Sequence, residues 1–215
     1  MTSRYWPLFD LRLTTADLRL RPMTEADLEI MADLLPSDLE QDPDATRFTV
    51  GDDRLSRGMV LHQAYWRAYG AWRPEAWRLG FVVSAGAKII GFQELEGENF
   101  PTLRTVDSSS FLIESARGRG YGKQMRRAVL ALAFGPLGAQ AAVSSAWQHN
   151  HASLGVSRSL GYLWNGENLH ARLDRVDVMV YMRLSRSDWL AGHGADGIEI
   201  SNFEPCQPLF GLASG

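Results

Sequence analysis

Arg117-Gly118-Arg119-Gly120-Tyr121-Gly122, followed by Lys123, concentrates glycine and positive charge in one short stretch. Ser108 to Ile113 precedes it and reads as a strand. Lys123 to Phe134 follows and reads as a helix, because Met125, Ala128, Val129 and Leu132 recur at helical spacing. A strand, then glycines, then a helix N-terminus can hold a phosphate. The first helical N–H groups have no partner within the helix, and the dipole's positive end faces the loop. Glycine lets the backbone approach an anion and take φ > 0. Two common phosphate motifs fail. A dinucleotide fingerprint started at Gly118 would need glycine where Lys123 stands. A P-loop ending at Gly122-Lys123 would need glycine at Arg117 and Ser or Thr at Gln124.

The elements around this loop follow in order. Leu18 to Arg21 alternates as a short strand that Pro22 stops. Thr24 and Asp27 form a weak capping box. Leu28, Met31, Leu34 and Leu35 give a helix face that ends before Pro36, and Leu55 to Trp72 reads as a second helix. Strands are expected at Trp77–Val83, Lys88–Glu96, Thr105–Ile113 and Ala142–Trp147. Asn150 starts a helix that runs through Leu160 and stops at Gly161. Tyr162–Leu173 and Val176–Leu184 pair as a final hairpin. The expected class is α/β (α+β), with a mixed, mostly antiparallel sheet of about six to seven strands flanked by about four helices. Residues 1–190 form one domain, and 191–215 form a glycine- and proline-rich C-terminal extension, packed or frayed.

Composition narrows the function classes. The 215 residues carry a formal net charge of −3, which gives no general affinity for nucleic acid. Cys206 stands alone, so no internal disulfide forms, which suits a cytoplasmic protein. The N-terminus lacks the apolar core of a signal peptide, and no apolar run is long enough to span a bilayer, so no membrane partner is expected. No zinc-ligand spacing appears among the histidines, so no metal is expected. A homo-oligomer is compatible with all of this.

The pattern Arg117-x-x-Gly120-x-Gly122 resembles the acyl-CoA pyrophosphate loop of the GNAT (GCN5-related) N-acetyltransferase family. Asn150-His151-Ala152-Ser153, followed by Ser159-Leu160-Gly161-Tyr162, resembles the signature of the ribosomal-protein N-terminal acetyltransferase branch. The element order from Leu18 to Leu184 is similar to the GNAT order. A closer resemblance to actinobacterial GNAT acyltransferases rests on five segments: Trp6-Pro7-Leu8-Phe9; Asp42-Pro43; Val106-Asp107-Ser108-x-Ser110; Met125-Arg126-x-Ala128-Val129-Leu130; and the closing Pro205-Cys206-x-Pro208-Leu209-Phe210-Gly211. Succinyl-CoA is a reported donor in that branch.

The resemblance implies direct attack of an amine on an acyl-CoA thioester, so Cys206 has no nucleophilic task. The loop from Arg117 through Gly118, Arg119, Gly120, Tyr121 and Gly122 to Lys123 would hold the pyrophosphate. Backbone groups of Phe111, Leu112 and Ile113 would pair with the pantetheine arm, one N–H serving the thioester oxygen. Asn150 would bond pantetheine amides, or act as a plain N-cap. Many relatives carry a tyrosine acid seven residues after this Asn; here that position is Ser157, so the acid role passes to Ser153. Asp107 is the first candidate base and Glu94 its rival. A lysine acceptor needs roughly 4–5 kcal/mol to lose its proton at pH 7 and an α-amine only about 1, so a modest carboxylate suffices for an α-amine.

Acetyl-CoA ranks first as donor and succinyl-CoA second. The acceptor is an amine: a protein N-terminus, a lysine or a small molecule. The acid-rich loop 38–53, with Asp38, Glu40, Asp42, Asp44, Asp52 and Asp53 opposed by Arg47, would draw a cationic acceptor. The rival reading is a non-catalytic module that binds or senses acyl-CoA.

Overall fold

In this computed structural model the described residues are 4–39, 46, 48, 50–172, 175–192 and 194–212. Its backbone is a long hairpin, β3 (Ala76–Ala85) with β4 (Lys88–Glu98), registered from Ala76↔Glu98 to Ala85↔Lys88. Side chains alternate between faces along a strand. Trp77, Leu79, Phe81, Val83 and Leu95 therefore enter the main core on one face. Arg78, Gly80, Phe92, Glu94 and Glu96 share the other.

Eight further strands complete the sheet: β1 (Arg12–Thr14), β2 (Leu18–Pro22), β5 (Thr105–Asp107), β6 (Ser110–Leu112), β7 (Ala141–Trp147), β8 (Leu163–Arg172), β9 (Arg175–Ser185) and β10 (Glu199–Ser201). Their order is β10-β1-β2-β3-β4-β5-β7-β9-β8, with β6 paired to β4 off that path. The pair β5–β7 is parallel and the other ladders are antiparallel.

Helices α1 (Leu28–Asp33) and α2 (Asp53–Gly70) cover the face of Phe92, where Met23, Leu28, Met31, Val82 and Phe111 form a second apolar cluster. Helix α4 (Tyr121–Phe134) covers the opposite face and buries Met125, Ala128, Val129 and Leu132. α5 (His151–Ser159) packs against α4 and β7, and α6 (Arg186–Gly192) places Trp189 on Phe134, ring centroids 5.7 Å apart. The short α3 (Phe100–Leu103) links β4 to β5.

The class agrees with the expectation; the strand count is higher for three reasons. β10, at the edge, and β1, between β10 and β2, are three-residue strands, too short to show a period. The strand expected over 105–113 divides into β5 and β6. Its register against β4 is continuous, from Glu96↔Asp107 to Gly91↔Leu112. Side chains interrupt the ladder between them. Asp107 Oδ1 accepts from the Ser108 N–H at 2.6 Å, and Gln93 Nε2 joins the Glu94 N–H on the Ser109 carbonyl.

The second helix starts two residues before Leu55, because Asp52 accepts from the N–H groups of Arg54 and Leu55. The Thr24–Asp27 capping box forms. The C-terminal segment pairs β10 with β1 and buries Cys206 and Phe210, whose ring meets Trp77 at 4.9 Å. Burial pushes the Cys206 thiol up to about 11, so thiolate chemistry has no footing there.

Candidate active site

The glycine loop joins β6 to α4. Gly118 and Gly120 both have positive φ, +75° and +78°, and a Cβ at either would meet nothing within 4 Å. Gly120 is the N-cap of α4, and its carbonyl accepts from Lys123 and Gln124. The N–H groups of Gly118, Arg119, Gly120, Tyr121 and Gly122 find no protein acceptor among the described residues. Five successive free donors, at a helix N-terminus with open space before them, fit an anion such as a pyrophosphate. Arg119 and Lys123 make no ion pair among the described residues. Arg117 is engaged: its guanidinium holds Asp38 at 2.6 and 2.8 Å, and its Nε donates to the Leu112 carbonyl at 3.1 Å.

Behind the loop the sheet opens. β5 pairs with β7 at Thr105↔Ala141 and Val106↔Ala142, then β6 stays with β4 and leaves β7. Continuing the parallel register sets Asp107 against Val143 and Ser108 against Ser144 where the strands part. The Ile113 N–H donates to Ile90 and the Ser109 carbonyl accepts from Glu94, so residues 109, 111 and 113 spend their backbone groups on β4. Of the three backbone positions expected to face a ligand, Phe111 and Ile113 are thus turned to β4. Leu112 points into the wedge, and Ser110, not foreseen, joins it.

On the α2 face a groove of about 690 Å³ runs beside the wedge, between Tyr65 and Tyr69 of α2 and a sheet floor that includes Glu94, Glu96 and Asp107. Glu96 and Asp107 are direct cross-strand partners, and Glu94 lies one step along the same face. Arg78 approaches Glu96 at 3.0 Å and Glu94 at 3.8 Å. Burial, then the charges of Glu96 and Asp107, push the Glu94 carboxyl up to about 7; Arg78 and the Ser109 hydroxyl oppose them. Burial also raises Asp107, against the Ser108 N–H and the charges of Arg126 and Arg78.

The acidic loop differs from its expected role. Asp38 is bound to Arg117, Asp52 caps α2, and Asp53 lies 4.0 Å from Arg57. Glu40, Asp42, Asp44 and Arg47 lie outside the described residues. The carboxylates that face the groove come instead from the sheet.

On the far side of the wedge, Asn150 Oδ1 accepts from the Ser153 N–H at 3.0 Å and caps α5. The Ser153 hydroxyl makes no hydrogen bond among the described residues. Ser157 is buried, with its oxygen 3.4 Å from Ser144 Oγ, and Arg126 donates to Ser144 at 3.3 Å. Sequence reasoning missed Arg126 and Tyr162. The available signal was a charged residue next to Met125, on a helix whose remaining turns are almost wholly apolar.

Comparison with known proteins agrees with this geometry. The Vibrio cholerae spermidine N-acetyltransferase in complex with CoA and spermine superposes with a TM-score of 0.63 at 16% identity, covering 81% of this chain and 99% of that one. A Vibrio cholerae protein provisionally assigned as a ribosomal-protein-serine acetyltransferase gives 0.62 at 16% identity, over 82% and 98%. At these identities the likeness speaks for the fold. The family follows from the sequence model for the acetyltransferase (GNAT) domain, which matches residues 17–163, more than half of the chain. With the glycine loop, the parted strands and the carboxylate groove in their places, the chain belongs to the GNAT acetyltransferase domain family, an N-acetyltransferase family whose enzymes pass an acyl group from coenzyme A to an amine.

Proposed function

We propose that this protein transfers an acetyl or succinyl group from acyl-CoA to a cationic primary amine, by direct attack and without a covalent enzyme intermediate. The free N–H groups of Gly118 to Gly122, with Arg119 and Lys123, would hold the pyrophosphate. The Leu112 N–H and the inward backbone groups of Ser110 would serve the pantetheine arm, and the Ser110 N–H is best directed to the thioester carbonyl. Arg117 would brace the loop through Asp38 and Leu112.

The single observation that carries the catalytic reading is Glu94. A carboxyl raised to about 7 can take a proton near neutral pH and release it again. Asp107, the first candidate by sequence, lies across from Glu96 and would hold the ammonium beside Glu94. Four carboxylates, Glu94, Glu96, Glu98 and Asp107, line the groove against three arginines, Arg67, Arg73 and Arg78, and the small excess of negative charge favours a cation. The spermine complex of the spermidine N-acetyltransferase supports an amine of that kind. Ser153 has a free hydroxyl on α5 and is the candidate acid for the departing thiolate.

The test is amine-dependent thiol release from acetyl-CoA and succinyl-CoA with a pool of amines: diamines, an N-terminal peptide and a lysine peptide. Release that requires both substrates is expected. Tight acyl-CoA binding with no release from any amine would favour a sensing module instead.

A further inference from the structure

The acceptor groove changes charge along its length. Its floor is the β3–β4 hairpin, where Gly80↔Glu94, Arg78↔Glu96 and Ala76↔Glu98 follow one another on the ladder. At the inner end, beside the wedge, three lining carboxylates, Glu94, Glu96 and Asp107, stand against one lining arginine, Arg78. At the outer end the balance reverses. α2 ends at Gly70 and the chain turns into β3 at Ala76, so Arg67 of the last helical turn and Arg73 of the connecting turn belong to this end. Both line the groove, and among the described lining residues there only Glu98 opposes them. Arg73 meets Glu98 at 3.8 Å, with 59% and 72% of the two side chains exposed. Arg67 makes no ion pair among the described residues.

Two exposed arginines against one loosely held carboxylate leave N–H donors for an anion, and a guanidinium takes a carboxylate in a bidentate pair. The ladder sets the spacing. From Glu94 to Glu98 is four strand residues, roughly 13 Å. An extended peptide rises by about the same amount per residue. With its N-terminal ammonium at Glu94 and Asp107, about its third to fifth residues lie beside Arg67 and Arg73. The wall leaves room for such a chain, because Ala64, Ala68 and Ala71 bring only methyl groups to the groove. A linear polyamine along the same path would carry a second cation to the arginines.

We propose that Arg67 and Arg73 form a carboxylate subsite at the outer end of the acceptor groove, so that the preferred acceptor is a zwitterionic peptide, entering amine first with an acidic group near its fourth residue. The proposal rests on the amine-acceptor reading above and narrows it. That reading concerns the charge of the reacting end; the arginines select the opposite charge further out. The carboxylate can come from an acidic side chain or from the C-terminus of a short peptide, and both meet the arginines in the same way.

The experiment measures kcat/KM for transfer from saturating acetyl-CoA or succinyl-CoA to otherwise neutral, C-terminally amidated peptides with a free N-terminus. Each carries one glutamate or one glutamine, moved stepwise from the second residue to the seventh. The advantage of glutamate over glutamine is expected to peak at the third to fifth residues, at about fivefold or more, to lie in KM rather than kcat, and to shrink in high salt. A neutral tetrapeptide with a free C-terminus should gain over its amide, which separates the two sources of carboxylate. Arg67→Glu combined with Arg73→Glu, both on exposed positions, should invert the preference, so that a lysine at the fourth residue beats glutamate there. Transfer that ignores the glutamate at every position, a preference unchanged in the double variant, or a diamine that surpasses every peptide overturns the proposal and leaves the acyl-transfer reading standing. No transfer to any amine overturns both.

Discussion

Glu94→Gln should stabilise the ligand-free protein at alkaline pH, and by an amount that the burial of Glu94 sets. The carboxyl is raised from 4.5 to about 7, so between those values the folded state binds more protons than the unfolded state. Wild-type stability therefore falls as pH rises through this window and stays lower above it. The full difference is about 3 kcal/mol, from 1.36 kcal/mol for each pH unit between the two values. Glutamine cannot ionise and escapes that cost. It keeps an oxygen for the Ser109 hydroxyl, and Arg78 keeps Glu96 at 3.0 Å. For a chain of this size the gain corresponds to roughly 6–12 °C in Tm. The assay is thermal unfolding of wild type and variant at pH 5 and pH 8.5, with reversibility checked. A small difference at pH 5 and a large gain at pH 8.5 are expected. A variant less stable than wild type at pH 8.5, or a gain that ignores pH, would refute the reasoning.

Two further substitutions address the donor side. Gly120→Asp has open space around its Cβ and a backbone φ of +78°, which aspartate tolerates better than most residues. The variant should fold, seen by circular dichroism, and lose at least tenfold in CoA affinity by calorimetry, because its carboxylate would stand at the proposed pyrophosphate site. Ser153→Ala should lower kcat with donor Kd nearly unchanged, since an acid used only as the thiolate departs contributes in the transition state. Single-turnover kinetics with succinyl-CoA and acetyl-CoA checks it, and an unchanged rate would leave Ser153 as a first-turn residue of α5 whose backbone N–H Asn150 caps.

The glycine loop and its helix were legible because the information is local: glycines, a strand before and an apolar period after. Glu94 and Asp107 were legible as strand carboxylates. That they share one face was not, because it depends on the register Glu96↔Asp107 between separate strands. The same holds for the backbone of Phe111 and Ile113. Which strand residues face a ligand follows from the phase of the ladder with β4, and nothing in their side chains reveals that phase. Asp38 looked like part of an acidic surface, and its bond to Arg117 spans 79 positions of sequence. Arg126 was readable as an anomaly on an apolar helix. Its neighbours Ser108, Ser144 and Tyr162 come from three other parts of the chain and meet only in the folded sheet.

The central claim is that Glu94 takes the acceptor's proton at a CoA thioester site, and the pH dependence of kcat/KM for the amine tests it most directly. Amine-dependent thiol release would be followed from pH 5 to 9 with the donor saturating, using an amine whose own titration is known and subtracted. The account predicts an acidic limb near pH 7 in the wild type. In Glu94→Gln that limb should vanish and the rate fall about a hundredfold or more, with donor affinity retained. A profile that follows the amine's titration alone, the same in both proteins, would contradict it.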